Sequence, residues 1–172
     1  DEAGNRSSIT SHFVIDRTPP VVFLGYVPAL TNVPVMIVAT ATDNVSTPSA
    51  ILIANNYGTS IITNPGENIV IVSAADEAGN VTMKTAIFVI DRDPPVFSLA
   101  PISSPTTNDV TISWNVFDNI SSSNQISVIF TGGTTLYTNE GAYTVEVRAT
   151  DRAGNVTSRT ARFVIDRTPP SI

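Results

Sequence analysis

The chain of 172 residues contains no cysteine, which excludes disulfides, thiolate metal sites and cysteine nucleophiles. It contains one histidine, His12, at the outward-facing phase of its segment. Residues 21–172 contain no histidine, so no Ser-His-Asp triad can form there. The carboxylates that could pair for glycoside hydrolysis fall on turn and linker positions. The sequence therefore predicts a protein that is not an enzyme.

Positive charge and long apolar runs are also scarce. Lysine and arginine number 9 against 15 aspartates and glutamates, so the net charge is −6. Nucleic acid is not an expected partner, because its phosphates require a basic surface. No apolar run approaches the ~18 residues that span a bilayer, so no membrane insertion of this segment is expected. A composition of 42% hydrophobic and 14% charged residues is typical of a folded chain.

A repeat with a period of 75 residues organises the chain. The stretch 76–95 recurs at 1–20 and at 151–170, and all three copies keep the pattern D-x-A-G-N, seven residues, then F-V-I-D-R-x-P-P. A fixed period indicates one structural unit copied along the chain. We therefore expect the last strand and linker of one unit at 1–20, complete units at 21–95 and 96–170, and the start of another at 171–172.

The repeated stretch predicts a turn, then a strand, then a linker. Glycine permits positive φ and asparagine forms local hydrogen bonds, so both suit a turn. The apolar alternation that follows is typical of a strand with one buried face. Proline donates no backbone hydrogen bond, so a double proline ends the strand as a stiff connector. These structural positions are Gly79, Asn80, Gly154 and Asn155 in the turns, and Pro94 and Pro95 in the linker.

Each complete unit contains about seven short alternating segments, and we find no helical periodicity. Gly66 and Gly141 begin one strand at equivalent positions, and another strand extends from Val110 to Phe117. In that strand Trp114 lies at the inward phase, so we expect a buried indole with a hydrogen-bonded N–H. Short strands separated by turn residues predict an all-β fold of β-sandwiches.

Four segments of the second unit carry a resemblance to a known family. They are Gly141-Ala-Tyr143, the alternating Val145–Ala149, Asp151-x-Ala153-Gly154-Asn155, and Phe163-Val-Ile-Asp166-x-Thr-Pro-Pro170. In these segments the chain resembles the bacterial immunoglobulin-like (Big-type) tandem repeats of surface proteins and adhesins. The first unit departs from the pattern at Asn68, where the second has Tyr143, so a tyrosine corner is expected only in the second unit.

The resemblance implies tandem immunoglobulin-like β-sandwiches of about seven strands each. It also implies a location outside the cell, at a bacterial surface, and a structural role. The repeats would act as a spacer or stalk that holds a terminal functional part away from the envelope, with neighbouring repeats as partners. Short double-proline linkers restrict the angle between units, so the length of such an array grows with repeat number.

Six aspartates are predicted to converge at the unit junctions. In an immunoglobulin-like sandwich, the loops after the second and sixth strands lie at the end that the preceding linker enters. Calcium is a hard cation that binds several carboxylates at once, so such clusters suit it. Arg17, Arg92 and Arg167 each follow a linker aspartate and could pair with the same carboxylates instead, as could turn amides. The predicted clusters are Asp16, Asp43 and Asp76, and Asp91, Asp118 and Asp151.

Two alternatives to a spacer follow from apolar residues. Phe13 and Ile15 lie at the inward phase of residues 1–20, and a lone strand requires partner strands. Strand addition to another copy would supply them and would build a fibre or a surface layer.

The second alternative is an adhesive module that binds a glycan or a protein. In the first unit, Ile69 and Ile71 occupy the outward phase of one strand, beside Ile87 and Val89 of the next. Together they predict an exposed apolar patch of the kind that marks contact surfaces.

Overall fold

The computed structural model of this chain describes residues 2–172. Strands make up 44% of the chain and helices 2%, so the predicted all-β fold class is confirmed. Among the described residues, no helix has the length and apolar character required to span a bilayer.

Fifteen strands form within the described residues. The first eight are β1 (Val21–Leu24), β2 (Leu30–Thr31), β3 (Val35–Met36), β4 (Ala39–Thr42), β5 (Leu52–Asn55), β6 (Ile61–Ile62), β7 (Gly66–Ala75) and β8 (Val81–Ile90). The others are β9 (Val96–Leu99), β10 (Val110–Thr111), β11 (Trp114–Phe117), β12 (Ser127–Phe130), β13 (Leu136–Tyr137), β14 (Gly141–Thr150) and β15 (Val156–Ile165), with a 3-10 turn at Ser123–Gln125.

The strands recur with the period of the sequence. Each of β9 to β15 begins 75 residues after its counterpart among β1 and β3 to β8. The counterpart of β2 is shorter. Thr31 pairs in parallel with Ile90 through β2 and β8, whereas the equivalent Thr106 makes a single parallel bridge to Ile165.

The strands associate in six hydrogen-bonded sheets. In the first half the orders are β1-β4, β3-β6 and β2-β8-β7-β5. In the second half they are β11-β9, β10-β13 and β12-β14-β15. The long hairpin of β14 and β15 is antiparallel throughout, from Gly141 opposite Ile165 to Thr150 opposite Val156. Gly66 and Gly141 begin β7 and β14, as predicted.

The core of the second half is built by alternation. Along β14, Val145, Val147 and Ala149 are buried, because successive side chains of a strand point to opposite faces. Phe163 on β15 and Phe97 on β9 join the same cluster. Burial of Val70, Val72 and Ala74 on β7 follows the same phase.

Contacts divide the chain into two compact units. One unit contains the chain up to Tyr26 together with Ile37–Ser60 and Val70–Ala86, and the other contains Val27–Met36, Ile61–Ile69 and Ile87–Ile172. Strands β7 and β8 contribute residues to both units. This division does not follow the 75-residue period, so the repeat boundaries near residues 20, 95 and 170 stay predictions.

The prediction of a buried Trp114 is wrong. The segment from Val110 to Phe117 is not one strand, because β10 pairs with β13 whereas β11 pairs with β9. Trp114 begins β11 and is 36% exposed. The same position holds the small Ala39 in the first repeat, and the larger indole lies edge-on against Phe130, with ring centroids 4.9 Å apart.

Residues 2–20 contain no strand, in contrast to the prediction for this stretch. Phe13 is 82% exposed and Ile15 is 68% exposed, so neither faces a core. The physical reason is that the described chain provides no strand that pairs with this segment, and a lone strand is not stable. Its assignment to a preceding repeat stays a prediction.

A tyrosine corner forms in the second repeat, as its sequence predicts. The Tyr143 hydroxyl donates to the Asn139 carbonyl at 2.8 Å. In the first repeat the buried Asn68 uses its amide for the same purpose, donating to the carbonyls of Asn64 at 2.9 Å and Gly66 at 3.0 Å. The predicted departure at Asn68 therefore changes the donor but keeps the hydrogen bond to the residue four positions earlier.

Candidate metal sites

The six predicted aspartates come together in two groups of three. Within each group, one carboxylate oxygen from every member lies within 4.8 Å of the others. We call Asp16, Asp43 and Asp76 the first cluster, and Asp91, Asp118 and Asp151 the second cluster. Each contains one linker aspartate, one from the loop after β4 or β11, and one from the turn after β7 or β14.

The loop aspartates fold their own loops around one oxygen. Asp43 Oδ1 accepts hydrogen bonds from the amides of Val45 at 2.9 Å and Ser46 at 2.8 Å. These amide hydrogen bonds lower the pKa of Asp43, against a smaller opposing effect of burial. Asp118 Oδ1 accepts in the same way from Ile120 at 2.9 Å and Ser121 at 2.6 Å. Both carboxylates are thus oriented by the amides of their own loops.

The turn aspartates are held by the predicted turn residues. The Asn80 amide donates to Asp76 Oδ1 and its side chain donates to Asp76 Oδ2, each at 2.8 Å. Asn155 donates to both oxygens of Asp151 in the same pattern, at 2.8 and 2.9 Å. Gly79 and Gly154 precede these asparagines with φ of +88° and +96°, a conformation that favours glycine.

The same asparagine side chains reach the linkers. Asn155 Nδ2 donates to the Asp91 carbonyl at 3.0 Å, and Asn80 Nδ2 lies 3.4 Å from the Asp16 carbonyl. The Thr157 hydroxyl adds a hydrogen bond of 2.7 Å to the carbonyl of Pro95. Each linker is therefore tied to the turn that carries the third aspartate of its cluster.

Some cluster oxygens have no hydrogen-bond partner. The buried Oδ2 atoms of Asp16, Asp43 and Asp91 accept no hydrogen bond from any described residue. The case of Asp91 is the most severe, because this residue is only 2% exposed. A buried carboxylate oxygen without a partner is costly, and a bound cation would offset that cost.

The charges of the second cluster also favour a bound cation. Burial raises the pKa of Asp91 first of all, and the charges of Asp118, Asp151 and Asp93 raise it further, while the amide hydrogen bond from Asp93 opposes them. Two ionised carboxylates less than 5 Å apart repel by about 3 kcal/mol at an effective dielectric constant of about 20. A bound cation would reverse the sign of these interactions.

Arginine does not neutralise the clusters within residues 2–172. Arg17 and Arg92 are exposed and form no ion pair there with a cluster carboxylate. Arg167 pairs with Asp109 at 2.5 Å and donates to the carbonyls of Thr107 at 2.8 Å and Thr138 at 2.6 Å. Of the alternatives left open by the sequence, amide capping of the aspartates is present and arginine pairing with them is absent from the described chain.

Two serines at the clusters were not predicted from the sequence. Ser46 and Ser121 are buried, and each accepts a hydrogen bond from the residue after a turn aspartate, Glu77 N at 3.3 Å and Arg152 N at 3.1 Å. They join the loop aspartate to the turn aspartate in each cluster. The signal that could have identified them is a serine three residues after Asp43 and again three residues after Asp118.

The other predicted positions lie outside these sites. His12 is exposed. Of the predicted apolar patch, Ile69, Ile71 and Ile87 are exposed, and Val89 is half-buried.

Comparison with known proteins identifies a family for part of the chain. Residues 108–167 match the family model described as a bacterial Ig-like domain. The matched range contains Asp118 and Asp151 of the second cluster. No curated protein matches the sequence.

Two solved structures match this chain, both with low TM-scores. One is described as the fibronectin(III)-like modules of Clostridium thermocellum CbhA, with 14% identity, a TM-score of 0.46, and coverage of 84% of this chain and 94% of that one. The other is the protocadherin GammaB4 extracellular domain, with 18% identity, a TM-score of 0.34, and coverage of 86% of this chain and 31% of that one.

The family match indicates a structural or adhesion-type module of an extracellular or surface protein, in a class of folds that are generally not enzymes. The match supports the resemblance predicted from the sequence, because residues 108–167 fit the model of a bacterial Ig-like domain.

Proposed function

We propose that this chain is a non-enzymatic spacer segment of a bacterial cell-surface protein, in which calcium fixes each linker to the repeat that follows it. The observation that carries the proposal is the unpartnered Oδ2 of Asp91, buried among the carboxylates of Asp118 and Asp151. The first cluster repeats the arrangement at the preceding linker.

The donor set suits calcium. All side-chain ligands would be carboxylate oxygens, which a hard cation prefers, and Asp16, Asp43 and Asp76 would hold one ion while Asp91, Asp118 and Asp151 would hold another. The ion would supply positive charge that offsets the repulsion within each cluster. The chain itself orients the ligands, since amide hydrogen bonds occupy one oxygen of every cluster aspartate.

The mechanical role follows from where the ligands lie. One aspartate of each cluster belongs to a linker, and two belong to loops of the following repeat. An ion that binds all three removes linker motion that prolines and hydrogen bonds only restrict. Stiff linkers let an array of repeats extend a terminal functional part from the cell surface.

Thermal unfolding in excess chelator and in millimolar calcium tests the proposal. At calcium about 100-fold above the dissociation constant, binding to the folded state alone adds about 2.7 kcal/mol per site, which raises the unfolding midpoint by about 5–10 °C. A variant with Asp16, Asp43, Asp91 and Asp118 all changed to asparagine keeps the amide-accepting Oδ1 atoms and should lose the response. An unchanged midpoint in the unaltered chain would refute calcium.

Strand addition between copies is a second candidate function. The observation that favours it is the exposure of Phe13, Val14 and Ile15, three consecutive apolar residues without a covering surface in the described chain. The change Phe13→Ser with Ile15→Ser should abolish assembly if these residues complete the sheet of another copy. Light scattering over a range of concentrations measures this, and a particle that stays monomeric at high concentration excludes it.

A further inference from the structure

The two clusters differ at one linker position. The first linker reads Asp16-Arg17-Thr18, and the second reads Asp91-Arg92-Asp93. The backbone is the same in both, since the amides of Thr18 and Asp93 donate to the linker aspartate at 3.0 and 3.1 Å. The second linker thus carries a further carboxylate two residues after its cluster aspartate, where the first linker carries a hydroxyl.

Hydrogen bonds hold Asp93 beside the second cluster. Its Oδ2 accepts from Asn119 Nδ2 at 3.2 Å, and Asn119 directly follows Asp118. Its carbonyl accepts from Asn155 Nδ2 at 3.3 Å, the same nitrogen that binds Asp151. Asp93 is therefore hydrogen-bonded to one residue from each of the two segments that carry Asp118 and Asp151.

Burial also separates the two clusters. Asp91, Asp118 and Asp151 are 2, 8 and 6% exposed, whereas Asp76 is the buried member of the first cluster. Asp16 and Asp43 are half-buried. Charges interact more strongly and are screened less where water is excluded, so each carboxylate of the second cluster should attract a cation more strongly.

One difference acts in the opposite direction. Glu77 of the first repeat is replaced by Arg152 in the second. Both side chains are exposed, and their amides, not their charges, contact the site through Ser46 and Ser121. Asp93 is exposed too, so screening weakens all three charges. Asp93 differs because its side chain is hydrogen-bonded to Asn119 of the second cluster's loop, whereas Glu77 and Arg152 reach the site only through their backbone amides, so the exchange should matter less than Asp93.

We propose that Asp93 makes the second cluster the tighter of the two calcium sites, so that it fills first as calcium rises. The inference rests on the proposed function and adds an order of filling to it. One additional carboxylate near a divalent ion should strengthen binding about tenfold.

Variants of the full chain that keep only one of the two calcium sites test the order of filling. Calorimetric titration with calcium chloride measures the affinity of the site that remains. Asp16→Asn with Asp43→Asn leaves the second site, and Asp91→Asn with Asp118→Asn leaves the first. The former variant should bind about tenfold more tightly. Adding Asp93→Asn, which keeps the shape and removes the charge, should abolish this advantage, and adding Thr18→Asp to the latter variant should strengthen its binding.

The controls separate the two proposals. Far-ultraviolet circular dichroism verifies that each variant keeps its strands, and Glu77→Arg in the first-site variant measures the opposing exchange. If the unaltered chain binds no calcium, both proposals fail. If calcium binds but the two sites have equal affinity, or Asp93→Asn leaves the second site unchanged, the proposed function stands and the role of Asp93 is refuted.

Discussion

In the loop and linker aspartates of the clusters, the two carboxylate oxygens have different roles. In Asp43 and Asp118, Oδ1 accepts two backbone amides and so shapes the loop. In Asp91, Oδ1 accepts the Asp93 amide while Oδ2 stays unpartnered in the cluster. Hydrogen bonds to one oxygen fix the direction of the other, which is how a short side chain can present a ligand without a long rigid scaffold.

The surroundings of Tyr137 in the second repeat can be tested by titrating its hydroxyl. Burial raises the pKa of Tyr137 above its ordinary value of 10.0, and the neighbouring Tyr143 raises it further. We expect Tyr137 to ionise above pH 10.0 in an absorbance titration of the folded chain, and Tyr137→Phe should remove this late-ionising group.

The stability contributed by protonated Tyr137 has a definite sign. Because its folded pKa lies above the unfolded value, this contribution is fully present below pH 10.0 and is lost as the pH rises through the folded pKa. If Tyr137→Phe removes no ionisation above pH 10.0, the surroundings of Tyr137 do not raise its pKa.

At the scale of elements, the antiparallel pair of β14 and β15 supports the core of the second half. Phe163 on β15 packs against Tyr137 and Tyr143 with ring centroids 5.2 and 5.1 Å apart. Its neighbour Val164 points to the other face and is exposed. One strand therefore provides both a core position and a matched surface position.

Truncation at these two positions should have unequal effects. We expect Phe163→Ala to lower the free energy of unfolding by about 3–5 kcal/mol, because it removes a buried aromatic ring and leaves a cavity. Val164→Ala should change it by less than about 0.5–1 kcal/mol, as is usual at exposed positions. Urea denaturation followed by circular dichroism measures both, and similar losses would show that the strand does not face the core as described.

At the scale of the whole molecule, the linkers are the points where calcium should act. Arg17 is exposed and lies directly after the linker aspartate of the first cluster. Arg6 is exposed as well but lies ten residues before that aspartate. Both are trypsin sites, and they differ in their distance from the proposed ion.

Calcium should protect the linker from trypsin. We expect cleavage after Arg17 to slow several-fold in millimolar calcium compared with excess chelator, because cleavage requires local opening of the linker. Cleavage after Arg6 corrects for any effect of calcium on the protease itself. Mass spectrometry of the digest measures both rates, and an unchanged ratio of the two would argue against an ion at the first cluster.

Much of the architecture follows from local patterns. Alternation from Val145 to Ala149 and in the repeated stretch that contains Phe163 predicts two strands with one buried face, and these residues lie in β14 and β15. The turn formed by Gly154 and Asn155 is equally local, because it depends on φ and on a side chain that bonds its own turn. The six cluster aspartates were predicted because a resemblance placed two loops and a linker at one end of a sandwich.

What the sequence by itself determined is therefore the period of the repeat and the all-β class, since these depend on spacing along the chain, while the cluster residues also required the resemblance. Only the tertiary structure decided that Asp91 Oδ2 is buried without a hydrogen-bond partner and that Arg92 makes no ion pair with its cluster, both within residues 2–172, and that Trp114 lies partly exposed. The reason is that burial and pairing depend on segments far apart in sequence, whose distances no local pattern records.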